Sequence, residues 1–348
     1  EELCGKCFTK LQKCCLLFLN NFSSWLCLSF WPGVMAGENH TTLPEFLLLG
    51  FSDLKALQGP LFWVVLLVYL VTLLGNSLII LLTQVSPALH SPMYFFLRQL
   101  SVVELFYTTD IVPRTLANLG SPHPQAISFQ GCAAQMYVFI VLGISECCLL
   151  TAMAYDRYAA VCRPLHYPLL MNQRVCQLLV SACWVLGMVD GLLLTPITMS
   201  FPFCQSRKIL SFFCETPALL KLSCSDVSLY KMLTYLCCIL MLLTPIMVIS
   251  SSYTLILHLI HRMNSAAGHR KALATCSSHM IIVLLLFGAS FYTYMLPSSY
   301  HTAEQDMMVS AFYTIFTPVL NPLIYSLRNK DVTRALRSMM QSRMNQEK

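Results

Sequence analysis

Seven stretches of the chain, at about 60–83, 93–117, 131–156, 175–200, 228–257, 272–297 and 307–327, are each mostly apolar over roughly 20 residues or more. That is enough for a helix to cross the hydrocarbon core of a bilayer, where a helix satisfies all its backbone hydrogen bonds within itself. A soluble reading would need an outsized core, because 56% of the 348 residues are hydrophobic and only 11% are charged, with a mean hydropathy of +0.64. The segments are joined by short connections, except for a longer, cysteine-containing one at about 201–227, and there is no internal repeat or low-complexity run. One all-α helical bundle is expected, with its two ends on opposite sides of the membrane.

Lysine and arginine near the membrane set the orientation. One set of connections and ends carries Arg98, Arg157, Arg163, Arg174, Arg262, Arg270, Lys271, Arg328, Lys330, Arg334, Arg337, Arg343 and Lys348. The other carries Lys55, Arg114, Arg207, Lys208, Lys221 and Lys231. The richer set is expected in the cytosol, which leaves the glycosylation acceptor Asn39-His40-Thr41 outside. The net charge of +6 then reports topology and attraction to anionic lipid, not nucleic-acid binding. Residues 1–34 break their apolar runs with Asn20, Asn21, Ser23 and Ser24 and are read as a poorly ordered N-terminal extension. Lys6, Lys10 and Lys13 resemble the basic part of a signal peptide, but the chain begins with Glu1 and has no clean cleavage site. Cys4 and Cys7 lack the second pair that a zinc site needs.

Most of the 17 cysteines lie in apolar segments and read as small buried hydrophobes. Cys132, at the outer start of the third segment, and Cys204, Cys214 and Cys224, along the 201–227 connection, are different. Four cysteines in an oxidising compartment predict two disulfides that staple this connection over the bundle mouth, with three connectivities open.

Depth can be counted from the helical rise of 1.5 Å per residue. Glu146 lies roughly 16 Å in from Arg157, and Glu104 is at roughly the same depth counted from Met93. Asn76, about 12 Å in from Gln84, and Asn321, about 10 Å in from Arg328, fall slightly nearer the cytosol. Two carboxylates at the midplane cannot both ionise cheaply, so the layer calls for a monovalent cation, a shared proton or internal water; the plain alternative is hydrogen-bonded packing between helices. Asp156 and Arg157 are expected where the third helix reaches the cytosolic interface, either as a hydrated anchor or as a latch that releases the arginine toward a cytosolic partner. Pro245, Pro297, Pro318 and Pro322 mark kinks or hinges in the last three segments. Asp110 and Asp190, in the outer halves of their helices, are expected to face water.

Seven motifs then converge in order: "EFLLLGFS" (45–52), "GN" (75–76), "LHSPMYFFLRQLS" (89–101), "MAYDRYAAVCRPLHY" (153–167), "SY" (252–253), "KALATCSSH" (271–279) and "PVLNPLIYSLRNK" (318–330). From about Met35 to its end the chain resembles an olfactory receptor, a rhodopsin-like G-protein-coupled receptor. The resemblance implies a seven-transmembrane bundle over 60–328 after an extracellular N-terminus at 35–59, then an amphipathic eighth helix and tail at 329–348. It implies disulfides Cys132–Cys214 and Cys204–Cys224, and a sodium or proton site at Glu104, Glu146 and Asn321, although the second-helix acid is more often Asp in the family. It also implies a switch formed by Asp156, Arg157, Tyr158, Tyr253 and Tyr325, which opens a cytosolic cleft for the C-terminal helix of a G-protein α subunit.

The ligand set implied by the family comprises Met136, Phe139, Ile140, Gly143 and Ile144, then Cys237 and Met241, then Phe287, Phe291 and Tyr294, with Tyr313 and Thr314. Phe287 departs from the commoner Tyr and lacks its hydroxyl. The lining is apolar, aromatic and rich in adaptable methionine, as suits a small volatile ligand. The expected function is therefore odorant binding at the plasma membrane with activation of the olfactory stimulatory G protein and a rise in cyclic AMP. The expected partners are a volatile odorant, that heterotrimer and membrane lipid; no cofactor is expected beyond a bound sodium ion. A chemoreceptor outside the nose or a weakly functional copy keeps the same fold, whereas a transporter would need repeated halves that are absent from the sequence. No catalytic residue is expected: Ser278 and His279 are adjacent on a helix and do not face one another, and neither HExxH nor GxSxG occurs.

Overall fold

The computed structural model describes residues 45–51, 57–204, 206–261, 266–296, 300, 302–328 and 330–346. The acceptor Asn39, the breaker Pro297 and the 1–34 extension lie outside them. Seven long helices follow one another among the described residues: α1 (Gln58–Val85), α2 (Pro92–Leu119), α3 (Phe129–Cys162), α4 (Gln173–Met199), α5 (Ser228–His261), α6 (Ala266–Met295) and a composite α7. The last comprises Ala303–Ala311, a π-helical turn Phe312–Phe316 and Thr317–Arg328. An eighth helix, α8 (Lys330–Gln346), follows.

Five of these helices, α1, α3, α4, α5 and the Glu304–Ile324 part of α7, are long and apolar enough to cross a membrane. The apolar part of α6, His279–Met295, is shorter. The α2 sequence carries Arg98, Glu104, Asp110 and Arg114 and belongs to the bundle through packing against α1 and α3. Most of the apolar stretch of α3 is buried, whereas α1 and α5 expose most of theirs, Trp63 and Leu74 being 68% and 72% exposed. Apolar residues facing outward on so hydrophobic a helix meet lipid, so α3 is the axis of the bundle and α1 and α5 belong to its rim.

Local chemistry sets the helix starts. Ser128 accepts a hydrogen bond from Gly131 N at 3.1 Å and caps α3, and Asn172 accepts one from Val175 N at 3.0 Å and caps α4. The α3 helix does not end near Arg157 but continues to Cys162, because nothing in "YAAVC" interrupts it. Asp156 is consequently fully buried, which corrects the expectation of a hydrated interfacial pair. Asp190 is likewise buried, not water-facing. On α1, a Cβ added to Gly75 would lie 3.0 Å from the Pro322 ring, so glycine permits the close approach of α1 and α7.

A small sheet covers the outer mouth. Strand β1 (Glu45–Leu48) pairs antiparallel with β2 (Ala126–Ser128), Phe46 opposite Ile127, and parallel with β3 (Lys208–Ile209), Leu48 opposite Ile209. Its alternation puts Phe46 and Leu48 inward, both fully buried, and Phe46 meets Phe203 edge-on at 5.4 Å between ring centres. Disulfide Cys132–Cys214 ties the connection between α4 and α5 to the start of α3, and Cys204–Cys224 closes that connection on itself, with Cα separations of 5.4 and 5.9 Å.

Candidate functional site

Three polar levels stack along the bundle. The outermost is a cavity of about 550 Å³ beneath the α4–α5 connection, bounded by α5, α6 and the start of α7. Glu215, Thr234, Cys238, Tyr294 and Ser310 line it. Burial pushes the Glu215 carboxyl up to about 7, against the hydrogen bond from Ser310 and the charge of Lys221. The carboxyl therefore accepts hydrogen bonds from most partners above neutrality and becomes a donor below it.

Of the residues expected to hold the ligand, Tyr294 lines this cavity. Met136 is fully buried under the connection, and its sulfur accepts a hydrogen bond from Thr216 Oγ1 at 3.5 Å. Phe139 joins an aromatic cluster with Phe213, Tyr107 and Tyr313 at centre distances of 5.0, 5.4 and 6.4 Å. Ile140 packs beside Met136, and a Cβ on Gly143 would meet only open space. Ile144, Cys237 and Met241 are half-buried and Phe287 is buried. Phe291 is 46% exposed, so the bundle does not enclose it. Thr314 turns its hydroxyl back onto the Ser310 carbonyl at 2.6 Å, within the turn that leads into the π-helical segment.

The middle level joins α1, α2, α3 and α7. Glu104, Glu146, Asn76 and Asn321 are all buried. Asn321 Nδ2 donates to Glu104 Oε1, and the Glu146 carboxyl lies close to that of Glu104. Asn76 Nδ2 bonds to the Thr72 carbonyl at 3.1 Å and reaches the Pro318 carbonyl at 3.4 Å. Three acceptor oxygens, Glu104 Oε2, Asn76 Oδ1 and Asn321 Oδ1, are buried without a protein hydrogen-bond partner. Surplus buried acceptors are what a small hard cation or a bridging water requires.

The cytosolic level is locked. Arg157 donates to Asp156 Oδ2 through Nη2 at 2.6 Å and Nε at 3.2 Å, and Tyr167 donates its hydroxyl to Asp156 Oδ1 at 2.8 Å. Burial and the neighbouring Asp156 hold the Tyr167 phenol well above its ordinary range, so it stays a donor at physiological pH. Nearby, His279 of α6 spans two helices. Its Nε2 donates to the Leu150 carbonyl of α3 at 3.1 Å, and its Nδ1 is 2.8 Å from the Tyr253 hydroxyl of α5. Since a carbonyl only accepts, Nε2 carries the ring proton and Tyr253 donates to Nδ1. Tyr158 is half-buried, and the side chain of Tyr325 lies outside the described ones.

Residues in these levels that were not anticipated from sequence include Glu215, Ser310, Tyr167, His279 and Gln135. Gln135 accepts from Cys214 N at 2.9 Å and donates to the Asp110 carbonyl at 3.0 Å, tying the disulfide to α2. Glu215 follows a disulfide cysteine, and His279 closes one of the motifs, so position alone could have flagged both.

A family model described as olfactory receptor matches residues 65–343. Olfactory receptors 2T3 and 2T34 of Homo sapiens are each 75% identical over 316 residues, 91% of this chain and 99% of theirs. Olfactory receptor 10P1 of Homo sapiens is 62% identical over 306 residues, covering 88% of this chain and 98% of its own.

Proposed function

The chain belongs to the olfactory receptor family; from that premise we propose that it detects small volatile molecules in its outer cavity and signals through the olfactory stimulatory G protein to raise cyclic AMP. It is an odorant receptor and a multi-pass membrane protein, not an enzyme. The proposal adds the coupling partner, residence in the plasma membrane with the N-terminus outside, and roles for the three levels.

The observation that carries the proposal is the cytosolic lock. A buried Asp156 is held by Arg157 and Tyr167, while His279 ties α3, α5 and α6; release of these contacts would free a guanidinium toward a cytosolic partner. A G-protein helix entering between α3, α5 and α6 would compete for these groups. Volatile-evoked cyclic AMP should require the olfactory stimulatory α subunit. A response undiminished when that subunit is deleted would assign a different transducer.

At the middle level, the unpartnered oxygens of Glu104, Asn76 and Asn321 support a resident sodium ion shared with Glu146. The ion would stabilise the resting state by binding it more tightly than the active one. Glu146→Gln removes one charge without changing size, so sodium should lose its effect on odorant potency, by about threefold to tenfold over the physiological range. Identical sodium and pH dependence in the variant and the parent would remove the ion from the scheme.

A further inference from the structure

The outer cavity contains an acid that the expected ligand set lacks. Glu215 starts the short helix Thr216–Leu220 immediately after Cys214, whose disulfide to Cys132 anchors it to α3. Its side chain is 5% exposed and lines the cavity, where Ser310 of α7 donates to Oε2 at 3.3 Å. A second polar group, Thr234 Oγ1 of α5, also lines the cavity and is buried without a hydrogen-bond partner.

We propose that Glu215 is the polar anchor of the cavity and that its ligands are small neutral alcohols, the hydroxyl donating to Glu215 and accepting from Thr234. This rests on the reading of the cavity as the odorant site. Charge selects against the alternatives. Lys208, Lys221 and Lys231 are exposed and line the same cavity, and Lys221 is already paired with Asp306 at 3.3 Å. A cationic amine would approach three ammonium groups. An ionised carboxylic acid would be set against Glu215. A hydroxyl offers both a donor for the carboxylate and an acceptor for the threonine, whereas an aldehyde or ketone offers only the acceptor. The carbon chain would pack on Leu222, Tyr294 and Met295, which also line the space.

The groups that set the charge on Glu215 are Ser211 and Lys221 from its own connection, Asp306 and Ser310 from α7, and the phenols of Tyr294 and Tyr313 from α6 and α7. With its carboxyl near 7, Glu215 accepts most strongly above neutrality and loses that charge-assisted bond as the pH falls. Alcohol affinity should therefore weaken on acidification, and carbonyl affinity should not.

The test is ligand-induced thermal stabilisation of the purified full-length chain in detergent, with n-octanol and cyclohexanol beside octanal, cyclohexanone, octylamine and octanoic acid. The alcohols should stabilise most. Their apparent affinity should fall about tenfold in Glu215→Ala, as expected for loss of a bond to a charged group. Glu215→Gln, which keeps an acceptor of similar size, should retain part of the affinity and lose its dependence on pH, and it serves if the alanine variant does not fold. Absence of stabilisation by either alcohol, equal or greater stabilisation by the carbonyl or amine partners, or undiminished alcohol affinity in the variants would each overturn the assignment. No G protein takes part, so failure here is distinct from failure of coupling.

Discussion

Replacing Arg157 with alanine is expected to reduce odorant-evoked cyclic AMP at least about tenfold at matched surface density, a loss of about 1.4 kcal/mol or more in productive coupling. The guanidinium is held against a fully buried carboxylate at the cytosolic end of α3. Its removal deletes the proposed contact for the G protein and also leaves Asp156 with Tyr167 as its remaining donor among the described residues. Breaking a buried pair in this way costs about 3–5 kcal/mol, so surface expression must be measured alongside signalling. Arg157→Lys separates the two effects: it keeps the charge but not the two-pronged donor geometry seen at Asp156 Oδ2. Lysine should restore expression more than signalling. Undiminished signalling by the alanine variant at equal expression would contradict the lock.

Loss of the Cys132–Cys214 disulfide should be as damaging for a different reason. Cys132→Ser opens a loop closed over 82 residues and removes about 2–5 kcal/mol of stability. Both cysteines are fully buried, and Cys214 N is bonded to Gln135, so the loss would also loosen the Glu215 side of the cavity. Most of the chain should then be retained inside the cell. Cys204→Ser, in an exposed pair closing 20 residues, should retain more surface expression. The check is antibody staining of intact and permeabilised cells; equal surface staining of Cys132→Ser and the parent would show that the lid stands without this bond.

What the sequence made legible follows from which forces act locally. Hydrophobic length located every long helix, because the membrane imposes it on each segment separately. Helix ends were less legible: Arg157 looked like a boundary, yet "RYAAVC" has no breaker and α3 runs on to Cys162. Counting depth placed Glu104 and Glu146 at one level with Asn321 slightly nearer the cytosol, and in the structure Asn321 donates to Glu104. Depth says nothing about rotation around a helix, which is why Asp190 was expected to face water and is buried. The lid was opaque for another reason. Four residues, Glu45–Leu48, are too few to declare a strand, and their partners lie on two distant connections. Burial of Glu215 also depends on tertiary packing, since Ser310, which donates to it, comes from α7.

The most direct measurement is cyclic AMP in cells that carry the chain from Met35, together with the olfactory stimulatory G protein, during exposure to a broad panel of volatiles. The account predicts that at least one volatile raises cyclic AMP in a concentration-dependent way that untransfected cells lack. Silence toward every volatile, with the receptor verified at the cell surface, would contradict it.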